Sequence, residues 1–244
     1  MPLTVPLWRR QWRVRPGWLL LTLLASLLFV RLGFWQWQRG EQRALLWQQF
    51  TLQQTLPPRE LGGQLPPAMP RYTRVQLTGR YDGEHQILLD NISREGKPGY
   101  EVLTPLLLSG GATVLVNRGW VPFAGYRDRL PDVRLSTDAP VQISGRLDQL
   151  PQAGMATGRA PPPANGTWPR VTSFPTLAEL AALLARPLAD KVVLLDAQVG
   201  EGYLRQWQPP GVAPDRNYSY AVQWWAFAVL AWGLLLGLNL EKRP

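Results

Sequence analysis

The chain has 244 residues, a formal net charge of +9, a single histidine and no cysteine. Without cysteine there is no disulfide, no thiolate metal site and no lipid anchor attached through cysteine. A single histidine also excludes any site that needs two histidine ligands. Four arginines before residue 17 and a net charge of +1 in residues 241–244 supply five of the nine charges. The high charge therefore indicates membrane topology rather than a nucleic-acid-binding surface.

An N-terminal tail, residues 1–16, precedes an apolar span over residues 17–37. A helix rises about 1.5 Å per residue, so about 20 residues cross a hydrocarbon core of about 30 Å. Arg31 is the one charged residue of this span, and no A-x-A-like cleavage site follows it. The pattern therefore predicts an uncleaved transmembrane helix rather than a signal peptide.

The first helix is predicted to continue out of the membrane. Residues 38–55 contain no proline and are rich in Gln, Leu, Glu and Arg, which favours a helical extension. Pro57-Pro58 ends this extension, and a loop rich in proline and glycine runs to Pro70.

The β-rich core is predicted over residues 72–197, where short apolar or alternating segments are separated by turns. Thr176 and Glu179 form a capping box that begins a short helix over residues 176–185. Ser109-Gly110-Gly111 is a hairpin signal. Residues 152–169 are predicted as a loop. Strands are predicted at 72–81, 86–91, 100–108, 112–121, 141–147 and 191–197. This order favours an antiparallel sheet closed into a small barrel or sandwich.

The second apolar span covers residues 220–240 and contains no charge, and residues 241–244 form a short tail. Lys242 and Arg243 follow this span, and the residues that precede the first span include Arg9, Arg10, Arg13 and Arg15. Because basic flanks stay on the cytoplasmic side, we expect both termini in the cytoplasm and residues 38–219 in the periplasm. The chain is thus predicted to be a multi-pass protein of a bacterial inner membrane, with two transmembrane α-helices flanking a β-barrel- or sandwich-like external domain.

The pattern shows no enzyme site. His85 follows an Asp82-Gly83 turn between two strands, where an exposed histidine without a chemical role is the simpler interpretation. The acidic residues form no metal-spaced cluster, and there is no glycine-rich phosphate loop. We therefore predict a protein that is not an enzyme, with a carboxylate pair assembled from distant strands as the open alternative.

Aromatic and polar residues concentrate at the outer ends of the two spans. Tryptophan at this level is typical of an aromatic belt. A belt accounts less well for Arg31 and Gln223, because polar groups toward the apolar side need a partner. Arg31 is expected to stack on Trp35 one turn away or to extend toward the headgroups. The predicted functional cluster consists of Arg31, Trp35, Trp37, Gln223, Trp224 and Trp225.

Small residues on both spans indicate close helix packing. Gly233 and Gly237 form a G-x-x-x-G face on the second span, and Thr22 and Ser26 form a small-residue face on the first. The two spans are expected to pair with each other or with another membrane protein.

Four motifs, in order along the chain, resemble the surfeit locus protein 1 family. Residues 32–39 (LGFWQWQR) resemble its first-helix signature, and residues 89–91 with 99–106 resemble its central pattern. Residues 220–224 (YAVQW) resemble the start of its second helix. The most specific motif is VNRGWVP at residues 116–122. Members of this family have two transmembrane helices with an external domain between them.

The resemblance implies an assembly factor for haem–copper oxidases that aids delivery or insertion of haem a into the catalytic subunit. The implied partners are this subunit, a haem a synthase and membrane lipids. It also implies haem a near the outer helix ends, with candidate contacts at Arg31, Trp35, Tyr218, Tyr220, Gln223 and Trp224. The position of the family's histidine is Asn217 here, so that role does not carry over, since an amide is not a haem ligand. A Tyr218 phenolate is the alternative ligand.

Two interpretations are open for the VNRGWVP motif. Gly119 turns the chain after a strand and Trp120 caps the barrel, or Asn117, Arg118 and Trp120 dock a partner. An arginine at a barrel mouth that faces the membrane would instead pair with haem propionates. For the whole chain, the alternative to oxidase assembly is a non-enzymatic envelope binding or sensing module anchored by two helices.

Overall fold

The computed structural model describes residues 3–7, 10–127, 129–152, 158–163, 165–209 and 211–242. Arg9 and Arg243, which were predicted as cytoplasmic flanks, lie outside the described residues, as does part of the loop predicted at 152–169. The chain divides into two compact units. One consists of Met1–Gln49 with Pro209–Pro244, and the other is Phe50–Gln208.

Three helices are present among the described residues: α1 Pro16–Thr55, α2 Leu177–Leu183 and α3 Pro214–Leu238. Both α1 and α3 are long and apolar enough to cross a bilayer, and the chain is a membrane protein. The predicted first span and its extension fall within one unbroken helix. Helix α3 begins before the predicted start at Tyr220, with Pro214 in its first turn, where a missing N–H costs no hydrogen bond.

Eleven strands occur in the described residues. They are β1 Leu3–Leu7, β2 Arg10–Val14, β3 Arg59–Gly62, β4 Arg74–Tyr81, β5 Ile87–Arg94, β6 Lys97–Leu108, β7 Thr113–Pro122, β8 Val141–Asp148, β9 Arg170–Thr172, β10 Leu188–Leu195 and β11 Leu240–Lys242. Strands β1, β2 and β11 form a small antiparallel sheet from the two tails. The tail sequences had not predicted these strands.

The other eight strands form one sheet in the order β3-β4-β8-β10-β7-β6-β5-β9. An additional pairing of β4 with β6 closes the five strands β4, β8, β10, β7 and β6 into a barrel. The predicted fold class, two terminal apolar helices flanking a β-barrel with a short helix, is confirmed. Most pairs are antiparallel, whereas β10 with β7, β3 with β4 and β5 with β9 are parallel.

The core strands are apolar on both faces, which explains their continuous hydrophobic runs. In β7, Val114 and Val116 belong to the cluster of the barrel interior, whereas Leu115 belongs to the cluster beneath α2. Leu180 of α2 is fully buried in that second cluster. The capping box of Thr176 with Glu179 is present as predicted, and it fixes where α2 begins on the barrel.

Candidate functional site

Helices α1 and α3 bury residues at seven-residue intervals, and all of these residues except Leu235 are small. On α1 these residues are Ser26, Gly33 and Gly40; on α3 they are Ala221, Ala228 and Leu235. A seven-residue repeat keeps one seam of a helix facing its partner. We call these six residues the seam. The predicted small face of α1 is partly correct, since Ser26 is a seam residue.

The glycines of the seam make room for aromatic rings of α3. A Cβ atom at Gly33 would lie 2.2 Å from Trp225 Nε1, and one at Gly40 would lie 2.7 Å from Tyr218 Cε1. By contrast, a Cβ at Gly233 or Gly237 would meet no atom within 4 Å. The G-x-x-x-G face of α3 therefore takes no part in this packing.

Aromatic contacts follow the seam along the helix pair. Trp37 lies 4.8 Å from the ring centroid of Tyr218 and 5.9 Å from that of Trp225. Phe29 stacks on Trp224 with centroids 5.8 Å apart. Contacts of this geometry add to the stabilisation from apolar burial. The predicted meeting of tryptophans from the two helices is thus present for Trp37 with Trp225, and Trp224 has a phenylalanine partner instead.

Polar contacts continue the seam at the start of α3. The Asn217 amide donates to Gln36 Oε1 at 2.7 Å, and the Tyr218 hydroxyl donates to Glu41 Oε1 at 2.8 Å. Asn217 Oδ1 is buried and accepts no hydrogen bond from any described residue. The sequence showed these polar residues but gave no signal for their pairing, because they lie about 180 positions apart.

Several residues of the predicted cluster and of the candidate haem contacts do not lie in the seam. Arg31, Tyr220 and Gln223 are exposed, and the side chain of Trp35 is 56% exposed. Among the described residues, Arg31 has no cation–π contact with Trp35, so the stacking alternative is not observed. Instead, one face of α1 forms a concavity of about 650 Å³ lined by Leu28, Arg31, Leu32, Phe34, Trp35 and Gln38.

The residues at the helix ends do not fit axial ligation of haem iron. Protein haem ligands are His, Met, Cys or a Tyr phenolate. Residues 16–49 and 211–242 contain no His, Met or Cys. Tyr218 directs its hydroxyl proton to Glu41, and Asn217 offers only an amide oxygen. We therefore derive no step through haem iron for this chain.

Asn117, Arg118 and Trp120 are buried on β7, and their contacts are internal to the barrel unit. Asn117 Nδ2 donates to Glu101 Oε2 at 2.8 Å, and Trp120 Nε1 donates to the Ile92 carbonyl at 3.0 Å. In the described structure, Asn117 and Trp120 thus bond to strands β6 and β5 of the same unit rather than present a surface. Partner docking at these three residues stays a prediction that their contacts do not support.

Arg118 is the centre of this buried network, with 1% of its surface exposed. Its guanidinium donates to Gln86 Oε1 at 2.8 Å, to the Val133 carbonyl at 3.0 Å and to the Glu201 carbonyl at 2.5 Å. Nearby, burial raises the pKa of Tyr81 to about 12. Gln86 and Glu201 were not predicted from the sequence as part of this network. The one available signal was that Gln86, a polar residue, begins an apolar run.

Position 119 requires glycine for two reasons, its backbone conformation and the close approach of another carbonyl. Its φ of +115° lies in the region that favours glycine, and a Cβ there would lie 2.8 Å from the Leu204 carbonyl oxygen. This close approach allows Trp120 N–H to bond the same carbonyl at 2.9 Å. The motif therefore attaches the segment that leads toward α3 to the barrel wall.

His85 lies away from the helix pair in sequence and belongs to the barrel unit. Its Nδ1 lies 2.8 Å from Asp82 Oδ1, and its ring packs edge-on against Trp168 at 4.9 Å. Among the described residues there is no group of three or more His, Cys, Asp or Glu able to hold a metal ion.

Comparison with known proteins gives one family. The SURF1 family profile matches residues 23–229. Uncharacterized SURF1-like proteins of Mycobacterium bovis and Mycobacterium tuberculosis are each 33% identical to this chain over 231 residues, which is 89% of this chain and 82% of theirs. A SURF1-like protein of Dictyostelium discoideum is 39% identical over 59 residues, 23% of this chain and 22% of its own length. The profile covers the barrel unit and most of both transmembrane helices.

Proposed function

This chain belongs to the SURF1 family, and we propose that it is a non-enzymatic assembly factor for a haem–copper oxidase. The observation that carries the proposal is the family match over residues 23–229, which spans the helix pair and the barrel together. The seam supports this proposal. The first-helix and second-helix motifs, with the residues beside them, supply the two glycines and the two aromatic rings that pack together, Gly33 with Trp225 and Gly40 with Tyr218. The proposed partner is the catalytic subunit of the oxidase, with a haem a synthase as a second one.

The proposed action is to aid the insertion of haem a rather than to carry it on an iron ligand. Residues 16–49 and 211–242 offer no histidine, methionine or cysteine, and Tyr218 is engaged with Glu41. What the helix ends do offer is an aromatic surface, on which Trp37 and Tyr220 are partly exposed. Such a surface packs against a flat apolar group and orients it without a covalent or coordinate bond.

The proposed topology places the barrel unit in the periplasm of a bacterial inner membrane. Arg13 and Arg15 precede α1, and basic residues follow α3, so the positive-inside rule favours cytoplasmic termini. The barrel would then lie on the side where the outer ends of the helices meet the aqueous phase.

Deletion of the gene in a host with an aa3-type oxidase and no paralogue tests the proposal. We expect lower oxidase activity and a lower haem a content of the oxidase, and recovery of both when the full chain is supplied. Unchanged oxidase spectra would refute oxidase assembly. A chimera that keeps the barrel but has unrelated transmembrane helices should fail to complement; full complementation would favour an envelope binding module that acts through the barrel alone.

A pyridine haemochrome spectrum of the full chain, purified from cells that produce haem a, distinguishes a protein that guides haem a from one that carries it bound. We expect less than one haem per chain. Stoichiometric haem that survives purification would contradict guidance without a ligand, while leaving oxidase assembly intact.

A further inference from the structure

One face of α1 lies mostly outside the contact with α3; at its edge the Phe34 ring packs edge-on against Trp225, with centroids 5.6 Å apart. Arg31, Phe34, Trp35 and Gln38 recur at the spacing of a single helical face, and with Leu28 and Leu32 they line the concavity of about 650 Å³. We call these six residues the Arg31 face. Phe34 is 57% and Trp35 is 56% exposed, whereas the seam residues Gly33 and Gly40 are buried. Helical periodicity places Arg31 and Trp35 on the side of α1 away from the seam.

No carboxylate among the described residues neutralises Arg31. Residues 16–40 and 216–238 contain no Asp or Glu. Arg31 makes no ion pair and no hydrogen bond among the described residues. A guanidinium in an apolar span is costly, and such groups normally face another helix or pair with an opposite charge. The missing counter-charge must therefore come from outside this chain.

The headgroup region is a poor source of that charge. The nearer end of the span is the C-terminal one, marked by Trp35 and Trp37. Long side chains on a helix lean toward its N-terminus, so Arg31 leans toward the bilayer centre rather than toward this end. The start of α1 lies about 22 Å away at 1.5 Å per residue, beyond the reach of an arginine.

We propose that the Arg31 face docks a transmembrane helix of a partner protein that carries an Asp or Glu within the bilayer. The partner's carboxylate pairs with the Arg31 guanidinium, which is suited to two parallel N–H···O bonds. Trp35 and Phe34 pack beside it, and Gln38 adds a hydrogen-bonding group one turn farther. The inference goes beyond the proposed function, because it holds whichever complex the chain serves.

Site-specific photocrosslinking in native membranes tests the proposal on the full chain. Trp35→p-benzoylphenylalanine should crosslink to a membrane protein, and mass spectrometry should map the product to a transmembrane segment that contains Asp or Glu. Val229→p-benzoylphenylalanine is the matched control, since Val229 is 73% exposed on α3 and has no charged neighbour in its span. It should not give that product.

Charge variants then test the ion pair. Arg31→Glu should lower the crosslink yield at Trp35 at least tenfold, and replacing the mapped acid by arginine should restore it. Arg31→Leu, which makes the span more apolar and inserts readily, should also lose the product, so failed insertion does not account for the loss. Products with lipid alone, with a second copy of this chain or with a segment lacking an acid would overturn the proposal, as would a yield independent of Arg31.

Discussion

Arg118 in the barrel unit and the polar residues Asn217 and Arg31 in the helix pair differ in how their hydrogen-bonding groups are satisfied. In the barrel, Arg118 is buried and its guanidinium has acceptors on three separate segments. In the helix pair, Asn217 Oδ1 is buried without a donor, and Arg31 has no carboxylate in either span. The Arg118 network fixes loops of the barrel unit, whereas Asn217 and Arg31 leave polar groups of the helix pair available to molecules outside the chain.

A second buried arginine shows that burial alone does not define the Arg118 network. Arg146 on β8 is also buried, but its Nε and Nη1 have no hydrogen-bond partner in the part of the chain that the structure describes. Its guanidinium stacks on the Phe50 ring at 4.0 Å from the centroid. Desolvation by burial lowers the pKa of Arg146. The two arginines therefore allow hydrogen bonding and burial to be separated within one unit.

The largest expected effect comes from breaking the Arg118 network. Arg118→Met should lower the free energy of unfolding of the barrel unit by about 3–5 kcal/mol, because it removes the hydrogen bonds that the buried guanidinium donates to Gln86 Oε1 and to the Val133 and Glu201 carbonyls. Unfolding of the full chain by guanidinium chloride in mild detergent, followed by far-UV circular dichroism, measures this loss of unfolding free energy.

Arg146→Met is the matched control for this change. The same replacement there removes a buried charge that has no hydrogen bond, so we expect a loss below about 1 kcal/mol. Equal losses for the two variants would contradict the view that hydrogen-bonded loops, rather than burial of a cation, account for the Arg118 effect.

Most of the fold could be predicted from local pattern. Apolar length identified both transmembrane helices, and alternation with turn residues identified the strands from Arg74 to Leu195 apart from β9. The tail sheet of β1, β2 and β11 and the parallel pairing of β10 with β7 were not predicted. Both depend on segments distant in sequence, and no local signal specifies such pairings.

The candidate site was predicted less completely, for a related reason. The sequence singled out Arg31, Trp35 and Asn217 by residue type and depth. It gave no register between α1 and α3, so the interlock of Gly33 with Trp225 and the division between seam and Arg31 face could be found only from the structure. Similarly, residue type alone did not distinguish a buried Arg118 from a docking one.

A smaller effect is expected from Tyr81, which lies near Arg118 in the barrel unit. Its burial should make the free energy of unfolding depend on pH in the alkaline range. Because burial raises its pKa to about 12 in the folded state, the unfolded state, with a pKa near 10, loses its proton first as pH rises. The contribution of Tyr81 to the free energy of unfolding is complete below about pH 10. It falls by about 2–3 kcal/mol as the pH rises toward about 12.

Tyr81→Phe should remove the part of the alkaline fall in the free energy of unfolding that comes from Tyr81. The variant should cost little stability near neutral pH, since the Tyr81 hydroxyl has no hydrogen-bond partner among the described residues. Unfolding titrations of the full chain at several pH values between 9 and about 12 measure it. Tyr126→Phe is the surface control, with 62% of its side chain exposed, and should leave the loss unchanged. An unaltered alkaline loss in Tyr81→Phe would contradict this assignment.

The smallest effect is expected in the helix pair, at the amide contact of Asn217 with Gln36. Hydrogen bonds between transmembrane helices couple by about 0.6 kcal/mol on average. Asn217→Leu also removes a buried acceptor that has no donor, which offsets part of the lost bond. A double-mutant cycle of Gln36→Leu with Asn217→Leu, measured by SDS-driven unfolding in mixed micelles, should give a coupling below about 1 kcal/mol. A coupling above about 2 kcal/mol would show that this amide pair locks the helices as firmly as Arg118 holds the barrel loops, and the contrast between the two units would fail.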